Sequence, residues 1–129
     1  MTNTENLEII AIENLPKEGE FQIVQILING ELIMYCAHND HSEMLETILR
    51  KYEIRPIKKT ITTMLGEKDL PELSGKKYTV LGMGRAKIST STNQFQLPYD
   101  RSKDYNIGPD YTFRKILERQ FSDWKIGTI

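Results

Sequence analysis

Residues 21–37 read FQIVQILI-NG-ELIMYCA, and this stretch decides the fold of the chain. Its first eight residues are apolar at nearly every position, which is typical of a central strand covered on both faces of a sheet. Asn29-Gly30 is the strongest short signal for a tight hairpin turn. Residues 31–37 then return as a second apolar strand. The stretch therefore predicts a β-hairpin at the centre of a sheet.

The flanking sequence predicts two helices and five more strands. One helix is capped by Asn39 or Asp40 and keeps an apolar stripe up to Tyr52, and the other is capped by Asp110. The expected elements are strands at Leu7–Ile12, Ile57–Leu65, Tyr78–Ile88, Phe95–Tyr99 and Asp123–Ile126, helices at 41–52 and Tyr111–Phe121, and turns or loops at Pro16–Gly19, Glu67–Lys77 and Asn106–Asp110. This order predicts a single α+β domain with two helices and a mixed, largely antiparallel sheet of six or seven strands.

Composition narrows the class of protein. The chain has 129 residues, 17 basic and 18 acidic, with a net charge of −1. We therefore expect one soluble domain without a general attraction to nucleic acid or to an anionic membrane. Cys36 is the only cysteine, which excludes an internal disulfide, argues against a zinc site and favours a reducing, cytoplasmic setting. The polar residues 1–6 predict a disordered tail and no signal peptide.

Three separate segments carry residues suited to anion binding. LGMGR (residues 81–85) places a glycine pair before Arg85, which combines close backbone approach with a guanidinium that fits phosphate. Ser102 lies in a turn-like run whose amides can form an anion-binding concavity. His41 lies in the first turn of a predicted helix, where amides lack intrahelical partners and the dipole disfavours a protonated imidazole. Ordinary alternatives are a packing histidine, a β-bulge or close strand contact at the glycines, a surface ion pair and a solvated turn.

Five stretches, in one consistent order, are similar to the motifs of a known family. Residues 19–22 (GEFQ) are similar to Gly-x-Phe-Lys, and residues 41–46 (HSEMLE) to His-Ala-Asp-Ile-Tyr-Asp. Residues 81–85 are similar to Leu-Gly-Gly-Gly-Arg, residues 99–105 (YDRSKDY) to Tyr-Gly-Tyr-Ser-x-Ala-Tyr, and residues 121–126 (FSDWKI) to Tyr-Pro-Asp-Tyr-x-Val. By these motifs the chain resembles the Janus/Ocnus family, which includes phosphohistidine phosphatases.

The resemblance implies one Janus/Ocnus-like domain over residues 1–129, with residues 55–77 as an insertion relative to the family. It implies a monomeric phosphatase without metal or cofactor, acting on phosphohistidine in proteins or on a related phosphomonoester. His41 would be the general base or the nucleophile. The phosphate would be held by Arg85, Ser102 and the amides of Ser42, Lys103 and Asp104.

Three departures from the family pattern support a second hypothesis. Gln22 stands where the family has a strand lysine, and Asp100 adds an acid beside the expected anion. The insertion at 55–77 would reshape the expected site into a pocket for a different ligand. These features predict a non-catalytic binding protein for a phosphorylated ligand, such as a nucleotide or a nucleotide-derived signal. A third possibility is a protein-interaction module that kept only the scaffold.

Overall fold

The computed structural model describes residues 10–63 and 66–127. The tail expected at 1–6 and the start of the first expected strand lie outside these residues. Neither helix in the described part of the chain is long and apolar enough to cross a membrane. The elements are, in chain order, β1 (Ala11–Glu13), β2 (Glu18–Ile28), β3 (Glu31–Ala37), α1 (His41–Lys51), β4 (Lys58–Thr63), β5 (Gly66–Pro71), β6 (Tyr78–Ser89), β7 (Gln94–Tyr99), α2 (Thr112–Gln120) and β8 (Lys125–Gly127).

Six strands form the main sheet, in the order β1-β3-β2-β6-β7-β8. The outer pairs, β1 with β3 and β7 with β8, are parallel, and the three inner pairs are antiparallel. The predicted hairpin of β2 and β3 forms around Asn29 and Gly30, whose φ angles of 51° and 81° suit a tight turn. The prediction of a single α+β domain with a mixed, largely antiparallel sheet and two helices is confirmed.

The two helices cover opposite faces of this sheet. Helix α2 packs on the face that carries Phe21 and Ile23, and helix α1 packs on the face that carries Val24 and Ile26. These four residues of β2 are at most 3% exposed. Successive side chains of a strand point to opposite faces of the sheet, so a strand between two helices needs apolar residues at both odd and even positions. The nearly continuous apolar run in β2 is therefore explained by the helices on both faces of the sheet.

The segment from residue 57 to residue 77 differs from the prediction. Strands β4 and β5 pair only with each other, in a separate two-stranded sheet. The surface loop expected at Glu67–Lys77 was wrong in its first part, because β5 occupies residues 66–71, and the strand expected at Ile57–Leu65 did not join the main sheet. Most of this ribbon is exposed, so its residues are polar and lack the apolar alternation that signals a half-buried strand.

A close backbone crossing fixes the loop before α2 onto the middle of the sheet. The Gln25 side chain is buried and clamps Asp110: its Nε2 donates to the Asp110 carbonyl at 3.1 Å, and its Oε1 accepts from the Asp110 amide at 2.7 Å. The Met83 amide donates to the Gly108 carbonyl at 3.1 Å. A Cβ at Gly82 would lie 2.4 Å from the Asp110 nitrogen, so only glycine allows this crossing.

Candidate functional site

A polar cavity of about 210 Å³ lies where the start of α1, the middle of β2 and β6, and the loop after β7 meet. Six of the eight positions singled out in the sequence line it, counting Gln22 and Asp100, the two departures from the family pattern. Ser42 and Ser102 do not. The lining residues are Gln22, Asp40, His41, Arg85, Asp100, Arg101, Lys103 and Asp104.

His41 is the first residue of α1 and is 4% exposed. Its Nε2 lies 2.9 Å from the carbonyl oxygen of Gly84. Because a carbonyl only accepts, Nε2 must carry the hydrogen, and in the neutral ring Nδ1 keeps the lone pair. Within residues 10–63 and 66–127, Nδ1 makes no hydrogen bond. The strand carbonyl thus selects the tautomer that presents a free basic nitrogen at the cavity.

The surroundings keep this ring neutral near pH 7. Burial is the largest cause and lowers the pKa of His41 below its ordinary value of 6.5. The hydrogen bond to Gly84 and the carboxylates of Asp104 and Asp40 oppose this shift, and the charge of Arg85 adds to it. A neutral imidazole with one free nitrogen can accept a proton or attack an electrophile.

Arg85 lies on β6 directly opposite Gln22 on β2. Its Nε is 3.7 Å from an oxygen of Asp100, and its Nη1 is 4.0 Å from an oxygen of Glu20. The Arg85 side chain is 42% exposed, and both distances are long for a hydrogen bond. Ion pairs of this kind contribute little to stability. The guanidinium can therefore exchange these contacts for those of a bound anion.

The first turn of α1 holds a carboxylate already. The amide of Ser42 donates to Oδ2 of Asp104 at 3.1 Å. Asp40, one of the two capping residues that the sequence offers, lies at the N-cap position but makes no side-chain capping bond. The Asp104 carboxylate, from a loop 62 residues away in sequence, therefore satisfies a helix amide and occupies a place where the family resemblance puts a phosphate oxygen.

Ser102 does not line the cavity and is buried in its loop, although the sequence suggested a phosphate ligand or a solvated turn. It is 2% exposed, and its Oγ accepts the Tyr105 amide at 3.2 Å. Its backbone bonds Ile107 and Asn106 at 2.9 and 2.8 Å. Ser102 therefore holds together the loop that carries Lys103 and Asp104, whose side chains line the cavity.

Two lining residues were not singled out as site residues from the sequence. Asp40 directly precedes His41, a position from which a side chain reaches the same end of the helix. Arg101 is tied to its own loop, because its Nη2 donates to the Asn106 carbonyl at 2.6 Å. The sequence signal for both was their adjacency to predicted site residues.

The cavity is balanced in charge. Its lining has three cationic side chains and three carboxylates, besides neutral Gln22 and His41. In the described part of the chain, His, Cys, Asp and Glu side chains form no group of three that could hold a metal ion. The electrostatic character of the site therefore comes from side chains of both signs, placed within one small volume.

No protein-family model matches this chain, and no curated protein matches it significantly. The likeness to the Janus/Ocnus family rests on the five stretches quoted above.

Proposed function

We propose that this protein is a metal-free phosphatase that hydrolyses a phosphoramidate, in the first instance phosphohistidine in a protein. The observation that carries the proposal is the buried His41, which lines a cavity together with Arg85; its Nε2 donates to the Gly84 carbonyl, and its Nδ1 has no partner among the described residues. This is the pairing of a base or nucleophile with an anion-binding group that phosphoryl transfer requires.

The chemistry follows from these positions. Arg85 and Lys103 hold the phosphoryl oxygens through charge-assisted hydrogen bonds, and the amides of the first turn of α1 favour negative charge there. His41 Nδ1 takes the proton of an attacking water, or itself attacks phosphorus to form a phosphorylated imidazole, whose P–N bond a water molecule then cleaves to release phosphate. In both routes the P–N bond of the substrate breaks, its electron pair goes to the leaving nitrogen, and that nitrogen takes up a proton. Phosphoryl transfer needs mainly positioning and charge stabilisation, which such a small set of groups supplies.

The size and lining of the cavity favour a phosphoryl group on a protein over a nucleotide. Sites for drug-sized ligands occupy roughly 300–1,000 Å³, and this cavity has about 210 Å³. Among the described side chains, no aromatic ring lines it, so a base has no stacking partner here. The single buried Cys36 is consistent with a protein of the reducing cytoplasm.

The direct test is phosphate release from a phosphohistidine peptide by wild type, His41→Ala and His38→Ala. General acid–base catalysis typically contributes about 10²–10⁴-fold, so His41→Ala should lose activity on this scale. His38 is exposed, lies three residues earlier and does not line the cavity, which makes His38→Ala a matched control with wild-type turnover. Equal rates for His41→Ala and wild type would refute the proposed chemistry.

The alternative of a non-catalytic binder has its own support. The Ser42 amide already donates to the Asp104 carboxylate, so one of the groups expected to hold the phosphate in the phosphatase is engaged. Calorimetry with inorganic phosphate and with the same peptide separates the two functions. Tight retention without phosphate release would establish a binder. Neither binding nor release would contradict both functions.

A further inference from the structure

The charge balance of the cavity points to the substrate group. A phosphoryl group on serine or on a neutral imidazole brings only negative charge into the site. Arg85 and Lys103 attract that charge, but Asp40, Asp100 and Asp104 repel it. A cavity with equal numbers of both signs is complementary to a group that also carries both signs.

The three carboxylates differ in how far they are already engaged. Asp104 accepts the Ser42 amide. Asp100 accepts the Arg101 amide at 2.9 Å through Oδ1, while its Oδ2 is only loosely paired with Arg85 at 3.7 Å. Asp40 makes no side-chain capping bond. Asp40 and Asp100 are therefore the two carboxylates able to accept hydrogen bonds from a cationic group beside the phosphoryl group.

We propose that the preferred substrate is an N-phosphoguanidinium group, the side chain of phosphoarginine in a protein. This inference rests on the proposed phosphatase function and specifies its substrate. The phosphoryl oxygens bind Arg85 and Lys103, and the guanidinium, a planar fork of N–H donors, binds the carboxylates of Asp40 and Asp100. The buried His41, whose Nδ1 makes no hydrogen bond within the described part of the chain, lines the same cavity as both sets of groups.

The reaction balances without a further reactant. The phosphoguanidinium and one water molecule give a guanidinium and hydrogen phosphate. A bond forms between the water oxygen and phosphorus, His41 Nδ1 takes a proton from that water, and the P–N bond breaks. Its electron pair stays on the guanidine nitrogen, which receives a proton, and no group is oxidised or reduced. Carboxylates beside the leaving guanidine favour its cationic, protonated form.

The test compares peptides of one sequence that carry phosphoarginine, phosphohistidine or phospholysine, with the full chain as enzyme. We expect kcat/KM for phosphoarginine to exceed that for phosphohistidine by about tenfold or more, the scale of one charge-assisted hydrogen bond. Phospholysine separates the effect of charge from that of shape, because an ammonium is a point charge and not a fork. The kcat/KM for phospholysine should lie between those for phosphoarginine and phosphohistidine.

Two variants and a control test the assigned carboxylates. Asp40→Asn and Asp100→Asn should each lower the ratio of kcat/KM for phosphoarginine to that for phosphohistidine by about tenfold. Asp123→Asn carries the same substitution at an exposed position that does not line the cavity, so its ratio should equal that of wild type. General damage to the site would lower both activities together and leave the ratio unchanged.

The outcomes separate the two proposals. Phosphohistidine hydrolysed as fast as phosphoarginine, or an unchanged ratio in both asparagine variants, would overturn the phosphoarginine assignment and leave the phosphatase intact. Hydrolysis of none of the three peptides would overturn both. A thermal melt of each variant shows whether it is folded, and two independent positions keep the test decisive if one variant fails to fold.

Discussion

Replacing Gly82 by alanine should destabilise the protein much more than the same change at a glycine whose surroundings leave open space for a Cβ atom. At this position of β6, a Cβ atom would lie 2.4 Å from the Asp110 amide nitrogen and 2.4 Å from Oε1 of Gln25. Contacts this short cannot persist, and the Asp110 nitrogen belongs to backbone that a hydrogen bond to Gln25 holds in place. Either the strand or the crossing loop must move.

The magnitude follows from what each movement loses. If the loop stays, the added methyl overpacks the crossing, which typically costs about 1–3 kcal/mol. If the loop lifts, the two hydrogen bonds between Gln25 and Asp110 break, at about 1 kcal/mol each, and the buried Gln25 amide loses its partners. Both routes lower the free energy of unfolding by about 2 kcal/mol or more. For a domain of this size, that corresponds to a fall in Tm of about 6–10 °C.

The assay is urea unfolding followed by circular dichroism, with Gly127→Ala as the matched control. Within the described residues, a Cβ at Gly127 would meet no atom within 4 Å. The control should be neutral or stabilised by about 0.4–1 kcal/mol, because alanine restricts the unfolded chain. A loss below 0.5 kcal/mol in Gly82→Ala, or an equal loss in both variants, would refute the argument from close approach.

Three further predictions concern the site and its surroundings. Because burial lowers the pKa of His41, the unfolded chain binds its proton first as the pH falls. The stability that His41 contributes is therefore complete above pH ~6.5 and is lost as the pH falls through the lowered folded pKa. Urea titrations should show a lower free energy of unfolding at pH 5 than at pH 8, and the difference should be smaller in His41→Gln. Asp104→Asn should lower the pKa of His41 further, since the Asp104 charge raises it; an NMR titration measures this shift. The same change weakens the carboxylate contact with the Ser42 amide and should destabilise α1 by about 0.5–1 kcal/mol, which thermal melts measure. Burial raises the pKa of Cys36 to about 12, so this thiol should react with a thiol-specific reagent at pH 8 only after denaturant is added.

The parts of the fold that the sequence predicts are those with a local apolar pattern. The β2–β3 hairpin follows from its apolar run and Asn29-Gly30. Helix α1 ends at Lys51, within one residue of the predicted Tyr52. Helix α2 begins at Thr112, whose amide donates to the Asp110 carboxylate at 2.9 Å, so the predicted capping residue acts one position earlier than a formal N-cap. In each case the deciding interactions lie within a few residues of the chain.

The parts that the sequence does not predict depend on distant partners or on exposure. The strand expected at Ile57–Leu65 is present as β4, but β5 lies in a segment expected as a loop, because its exposed residues are polar. Ser102 is flanked by charged residues, and only the folded loop shows that its hydroxyl is buried against the Tyr105 amide. The contact between Asp104 and Ser42 joins residues 62 apart. No local pattern contains such a pairing.

Residues 82–85 of β6 connect the stability of this fold to its candidate site. Gly82 leaves room for the loop that crosses the sheet, the Gly84 carbonyl fixes the tautomer of His41, and Arg85 places a guanidinium in the cavity. The histidine and the arginine are both attached to the buried sheet, whereas Lys103 belongs to a loop secured partly through the crossing at Gly82. A change that loosens the crossing should therefore weaken phosphoryl binding while leaving the tautomer and the lowered pKa of His41 in place. Proton acceptance at His41 depends mainly on the strand, whereas phosphoryl binding depends on Arg85 of the strand and Lys103 of the loop together.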